Sequence, residues 1–248
     1  MNVWRTKYYL LVLGLFFCSP TALVAQHYTH FTVWSRAQVV IPFSTHWNLA
    51  TTFHWRRQNN YHLHADNPLG SPLATAGQLL LTHRNTANTF WIHAGQLSYY
   101  YSNQLLGKEL DFNALPRKEI RYAGGIELNE EITEKLTLRQ RLMQEFRFFE
   151  DNHFHPVGRI RTRANARYQL KPFVSINGVA EILFHNPPVL AHQKLFRFNQ
   201  YWLGSSLLWR LNERVNLETG YTFIMTRRVT IVEFDDQNII NLHLTVQL

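Results

Sequence analysis

The stretch 157–170, VGRIRTRANARYQL, leaves this chain few ways to fold. Every second residue is cationic or polar: Arg159, Arg161, Arg163, Asn165, Arg167 and Gln169. The residues between them, Gly158, Ile160, Thr162, Ala164, Ala166, Tyr168 and Leu170, are small or apolar. A strand sends alternate side chains to opposite faces, so it gathers the arginines on one side. A helix would turn Arg161 away from Arg159, Arg163 and Arg167. A row of guanidiniums cannot sit against dry hydrocarbon and needs water, carboxylates or both. The other face is free to meet a protein core or a lipid bilayer.

The same two-residue period recurs along the chain. In 46–57, Trp47, Leu49, Thr51, Phe53 and Trp55 oppose His46, Asn48, Ala50, Thr52, His54 and Arg56. Segments 31–41, 117–128, 136–149, 174–184, 196–210, 215–226 and 237–248 alternate likewise; 73–84 and 89–102 carry apolar residues on both sides, which leaves their facing open. Most segments run 11–14 residues. A globular strand averages about 5–6 residues, whereas a membrane-crossing strand needs about 9–11. The connections also alternate. Those at 42–45, 85–88, 129–135, 171–172 and 211–214 are short; those at 58–72, 103–116, 185–195 and 228–236 are long. Short turns at one end and long loops at the other fit an all-β, antiparallel, up-and-down transmembrane barrel. Eleven segments are found, while bacterial single-chain barrels use even numbers. Ten strands result if the first segment is not a stave, and twelve if one more lies near 61–64.

Residues 1–25 read as a signal peptide. Arg5 and Lys7 precede an apolar core over 8–17, and Ala22-Leu23-Val24-Ala25 offers a cleavage site. Removing Arg5 and Lys7 lowers the net charge from +8 to +6. The sole cysteine, Cys18, lies inside this leader, so the barrel expected over 26–248 has no disulfide to rely on. No later segment has the roughly 18 consecutive apolar residues of a membrane helix.

The polar faces hold the candidate functional residues: Glu119, Arg121, Arg139, Arg141, Glu145, Arg147, Arg159, Arg161, Arg163, Arg167, Glu181 and Glu218. Hairpin arithmetic sets Glu145 opposite Arg161 or Arg163, Glu181 at that same level, Glu119 by Arg147 and Arg121 by Glu145. Opposite charges on neighbouring strands stabilise a sheet, so this register predicts an Arg–Glu network filling a lumen. An excess of arginines would also suit an anion path. The apolar faces carry Trp47, Trp55, Phe146, Tyr168, Phe184, Tyr201, Trp209, Tyr221 and Phe223, expected to form lipid-facing aromatic girdles. Trp47 and Trp55 stand eight residues apart on one face, about 26 Å along a strand, near the height of the apolar band.

Catalytic signals are absent from the sequence. His62/His64, His153/His155 and His185/His192 lie in or near loops with no serine partner and no third metal ligand. No phosphate-binding glycine loop, GxSxG or HExxH occurs. No cofactor or metal is expected. Export and the spread of arginines over one sheet face argue against nucleic acid.

The motifs QRLMQEFRFF (140–149), RIRTRANARYQL (159–170), AEILFHN (180–186), FRFNQYWLGSSLLWRLNERVNLETGYTF (196–223) and QNIINLHLTVQL (237–248) resemble a family of unknown function assigned to outer-membrane β-barrels of Gram-negative bacteria. The resemblance spans most of the chain after the leader and is best from about 117 onward. It implies a fold and a location, with outer-membrane lipid and the barrel-assembly machinery as partners, and no catalytic residues. The leading expectation is a non-enzymatic barrel with a charged, largely filled lumen. A small anion-preferring pore, a lipid-modifying barrel enzyme and a soluble β-sandwich stay open.

Overall fold

The computed structural model describes residues 26–60, 65–85, 87, 89–150, 157–186, 197–228 and 233–248. The leader with Cys18, the segment 61–64, and His153, His155 and His192 lie outside these residues.

The long alternating segments become the strands of one closed barrel. In chain order they are β1 (Gln26–Pro42), β2 (Trp47–Gln58), β3 (Ser71–Arg84), β4 (Phe90–Ser102), β5 (Arg117–Glu131), β6 (Leu136–Phe149), β7 (Val157–Lys171), β8 (Val174–Asn186), β9 (Arg197–Arg210), β10 (Val215–Arg227) and β11 (Glu233–Gln247). Each strand pairs antiparallel with the next. The barrel then closes through a parallel pairing of β1 with β11. The described strands number eleven, one for each alternating segment and within the expected ten to twelve. The parallel closure follows from that odd number: an up-and-down chain with an odd number of staves brings its first and last strands together pointing the same way.

The short turns are closed by side chains that replace missing backbone partners. Ser44 Oγ accepts the amides of His46 and Trp47 at 3.2 and 3.0 Å. Thr133 Oγ1 and Asn212 Oδ1 do the same for Leu136 at 3.0 Å and Val215 at 2.8 Å. Such local bonds favour a turn over a continued strand.

The strand at 237–248 begins earlier than its alternation indicates. Residues Glu233, Phe234, Asp235 and Asp236 read as loop because three of them are acidic, yet they pair with Gln26, His27, Tyr28 and Thr29 of β1. Each carboxylate there has a basic or hydroxyl partner, so the acidic run is tolerated in a sheet. In β4 the alternation is broken by a bulge at Ala94, seen as register shifts against both neighbours, while β3 keeps its alternation from Ala74 onward and simply carries Ala74, Ala76 and Leu80 on its inward side. A bulge moves later side chains to the other face, which is why both sides of 89–102 carry apolar residues.

The two faces of the barrel differ sharply. Outward positions carry Phe53, Leu97, Ile120, Leu142, Leu203 and Ile240, all exposed. Among the described strand residues, outward charges occur only near strand ends, as at Arg57, Lys118, Glu130, Arg227 and Asp236. Inward positions carry the buried polar set, including Glu119, Glu145, Arg159 and Glu181. Trp34 of β1 meets Trp202 of β9 with ring centroids 5.7 Å apart; these strands are not neighbours in the sheet, so the contact crosses the lumen.

Candidate functional site: the charged lumen

Alternation on β5 to β8 places one continuous set of ionic side chains inside. Glu119 takes a bidentate contact from Arg121, Nε and Nη2 donating at 2.7 and 2.9 Å, and a second from Arg147. Glu145 accepts from Arg159 Nε at 2.7 Å and from Arg161 Nη1 at 2.6 Å. Glu181 accepts from Arg161 Nε at 2.7 Å and from Arg163 Nε at 2.9 Å. Arg161 thus bridges two carboxylates whose side chains are 0% and 1% exposed. Charge-assisted and bidentate bonds of this kind are short and strong, and each guanidinium fork fixes the rotamer of its neighbour.

The backbone register differs from the hairpin arithmetic by one side-chain pair. Glu145 stands opposite Arg159, while Arg121 stands opposite Arg147 and Arg141 opposite Arg163. Glu181 does stand opposite Arg163. Like charges face one another at two levels: Arg121 and Arg147 both turn to Glu119, while Arg163 bonds Glu181 on its other side and Arg141 has no ion pair among the described residues. Glu119, opposite Phe149, reaches Arg147 two residues along. Sheet twist brings one diagonal within reach of long side chains, so ionic partners need not be directly opposite.

The remaining inward charges form smaller groups. Arg139 donates to Asn129 Oδ1 at 3.0 Å and lies over the Trp91 ring, 5.2 Å from its centroid. Arg167 donates to Asn177 Oδ1 at 3.1 Å. Glu218 accepts from Ser206 Oγ at 2.5 Å and lies 3.7 Å from His243 Nδ1. Arg141 makes no ion pair among the described residues. His185 is on β8, opposite Arg159, and not in a loop. Near the short turns a recess of about 160 Å³ is lined by Lys135, Arg167, Arg210 and Glu134 among others.

At the long-loop end the 103–116 connection folds over the mouth, a contact its sequence gave no sign of. Its 3₁₀ turn, Glu109–Asn113, is held by Asp111, whose Oδ2 accepts the amides of Gly107 and Lys108, each at 2.9 Å. Asp111 also binds Arg228, which in turn binds Asp235. Lys108 Nζ reaches Glu233 at 2.8 Å, and that hydrogen bond raises the ammonium above its ordinary pKa. Tyr28 donates to Glu233 at 2.9 Å, and His30 Nε2 lies 2.8 Å from Asp235 Oδ1. Gly107 is required here: a Cβ would lie 2.8 Å from Tyr28 Cβ and 2.7 Å from Arg228 Nη2. Gln58 binds the loop as well, through Gln104 O at 2.9 Å and the Leu106 amide at 3.2 Å.

On the outer wall, Trp47, Tyr168 and Trp209 lie toward the short turns, and Trp55, Phe146, Phe184, Tyr201 and Phe223 toward the long loops, with Tyr221 between. Tyr201 and Phe223 are in ring contact at 5.8 Å, as are Phe184 and Phe198 at 6.5 Å. Trp34, Arg36, His54 and Arg56 form a further inward group that the reading of the polar faces passed over; the alternation of 46–57 already placed His54 and Arg56 there.

A search of curated proteins finds no match to the chain. A family model described as "Protein of unknown function (DUF2490)" matches residues 31–233, a span reaching from β1 to the start of β11. With most of its barrel under that match, from within β1 to the first residue of β11, the chain belongs to the DUF2490 family.

Proposed function

We propose that this chain is exported, inserts as a barrel in the outer membrane of a Gram-negative cell, and serves there as a non-enzymatic envelope component with a filled lumen. One observation carries the reading: the large exposed apolar side chains face outward around the barrel while the ion pairs are buried within it. In a water-soluble barrel that arrangement would expose far more continuous apolar surface than a monomer normally tolerates. In lipid it satisfies both faces, and closure leaves no unpaired sheet edge among the hydrogen-bonding groups. The leader-like segment 1–25 supports export, and the aromatic residues near both strand ends support a bilayer-spanning wall. Membrane lipid and the barrel-assembly machinery are the partners this reading requires.

The lumen is read as filled because the Arg–Glu lattice crosses β5 to β8, Trp34 and Trp202 meet across the interior, and the 103–116 connection covers one mouth. Planar-bilayer recording of the refolded chain tests it. The expected trace has no steady conductance. Reproducible anion-selective steps would replace this reading with a small pore.

A further inference from the structure

We propose that the inner face of β1 and β2 is a binding site for a small phosphate-class oxyanion. Four adjacent side chains meet there. Trp34 stands directly opposite Arg56, and Arg36 directly opposite His54. Cross-strand neighbours lie about 5 Å apart at Cβ, and successive inward positions on one strand about 7 Å, so the quartet occupies one small patch.

Each of the four presents a buried nitrogen with no hydrogen-bond partner: Trp34 Nε1, Arg36 Nε, His54 Nε2 and Arg56 Nε. Three of these are obligate donors, and the imidazole nitrogen is one in the matching tautomer. A single orphaned buried donor costs about 1–3 kcal/mol, and natural structures hold few of them. Four side by side, of the same polarity, ask for one common acceptor.

Among the described residues none bonds these four nitrogens, though Gln78 is a polar neighbour of His54. Arg36 and Arg56 make no ion pair among the described residues. Glu218, at the same level as Arg36 and one strand beyond His243, is engaged by Ser206, Asn177 and His243. The Arg56 guanidinium is stacked 3.8 Å over the Trp34 ring, with the Tyr100 ring 5.8 Å away, which fixes its plane. Guanidinium forks select oxyanions, because two parallel N–H groups match two oxygens. A carboxylate's two oxygens lie in one plane, whereas phosphate spreads its oxygens tetrahedrally, so donors arriving from two strands favour phosphate. The patch faces the lumen and not the apolar wall, so the ligand is a free, water-borne ion.

The site does not depend on lipid outside the barrel, so failure of the membrane reading would leave it standing. The test uses the full chain refolded in non-ionic detergent, titrated by calorimetry with inorganic phosphate, and with acetate and chloride at matched ionic strength. Saturable phosphate binding is expected, at least tenfold tighter than acetate or chloride. R36Q combined with R56Q should weaken it at least tenfold, and W34F, which keeps a ring and loses the N–H, about threefold. R141M, inside the lumen but outside the patch, should bind as the parent does. If the double variant does not refold, R56K decides: it keeps the charge, loses the Nε donor, and should still lose most of the affinity. No saturable phosphate binding, equal binding of the three anions, or full affinity in R56K would overturn the site and leave lumen water as the partner of these donors.

Discussion

Replacing Arg161 by methionine separates two ways of reading the ionic lattice. The five arginines 121, 147, 159, 161 and 163 share three glutamates, 119, 145 and 181. Counted as net charge, the cluster has two positive charges in excess, and removing an arginine should relieve repulsion. Counted contact by contact, Arg161 is the one guanidinium bound to two glutamates, at 2.6 and 2.7 Å, and its loss leaves each of two buried carboxylates with a single partner. Stranding one member of a buried ion pair costs about 3–5 kcal/mol. Because Arg159 and Arg163 remain, the low end applies, about 3 kcal/mol, or roughly a hundredfold in the folding equilibrium. Arg141→Met is the control. Arg141 faces Arg163 and has no ion pair among the described residues, so its removal should leave stability within about 0.5 kcal/mol or raise it slightly. Urea unfolding of both variants in lipid vesicles, followed by tryptophan fluorescence, makes the comparison. Equal effects from the two substitutions, or a stabilised Arg161→Met, would refute the contact reading in favour of bulk charge.

Three further outcomes are expected. Ile240→Arg, at an exposed outward position midway along β11, should cost about 2–4 kcal/mol in vesicles if it sits near the bilayer midplane; a negligible effect there would argue against lipid on the outer wall. Arg228→Gln removes the link between Asp111 and Asp235 and should make the 103–116 connection at least several-fold more sensitive to limited proteolysis, with the barrel core intact by its heat-dependent gel mobility. The Lys108–Glu233 contact predicts a pH effect on the same loop. A folded-state pKa raised above the ordinary 10.5 means the contact contributes fully below that value and is lost as pH rises through the folded pKa, so proteolysis of the loop should be unchanged between pH 7 and 9 and faster by pH 11.5.

Much of the barrel could be read in the sequence because its information is local. Alternation on 46–57, 117–128 and 157–170 fixes which side chains share a face without knowledge of any partner. Short turns announce themselves through Ser44, Thr133 and Asn212, whose bonds span two or three residues. What was not readable depends on contacts between distant residues. Asp111 and Arg228 are 117 positions apart, and Lys108 and Glu233 are 125 apart; nothing near either residue marks them as partners. The lattice lies between these cases. Its members were identifiable from alternation, but the one-pair offset at Glu145 depends on the length and path of the β6–β7 connection, which counting from a presumed turn centre misjudges. The donor quartet on β1 and β2 was half legible: facing follows from alternation, whereas the lack of partners depends on which side chains fill the opposite wall.

The parallel seam explains why the ionic contacts of the long-loop end gather where they do. Parallel pairing is slightly weaker per residue than antiparallel pairing, and here it joins the two strands most distant in the chain. No hairpin turn holds its register. Two features compensate. The β1–β11 register runs from Gln26 with Glu233 to Val40 with Gln247, longer than any other strand pairing in the barrel. Cross-strand side-chain hydrogen bonds then pin one end of it: His27 with Asp236, Tyr28 to Glu233 and His30 with Asp235. Lys108 and Arg228 add a third element by tying the same carboxylates to the 103–116 connection. The acidic start of β11 is therefore the register lock of the barrel. A slip of one residue would send Asp235 to the outer face and turn Ile240, Leu242 and Leu244 into the polar lumen, so an odd-numbered barrel can close in one register without a turn to define it.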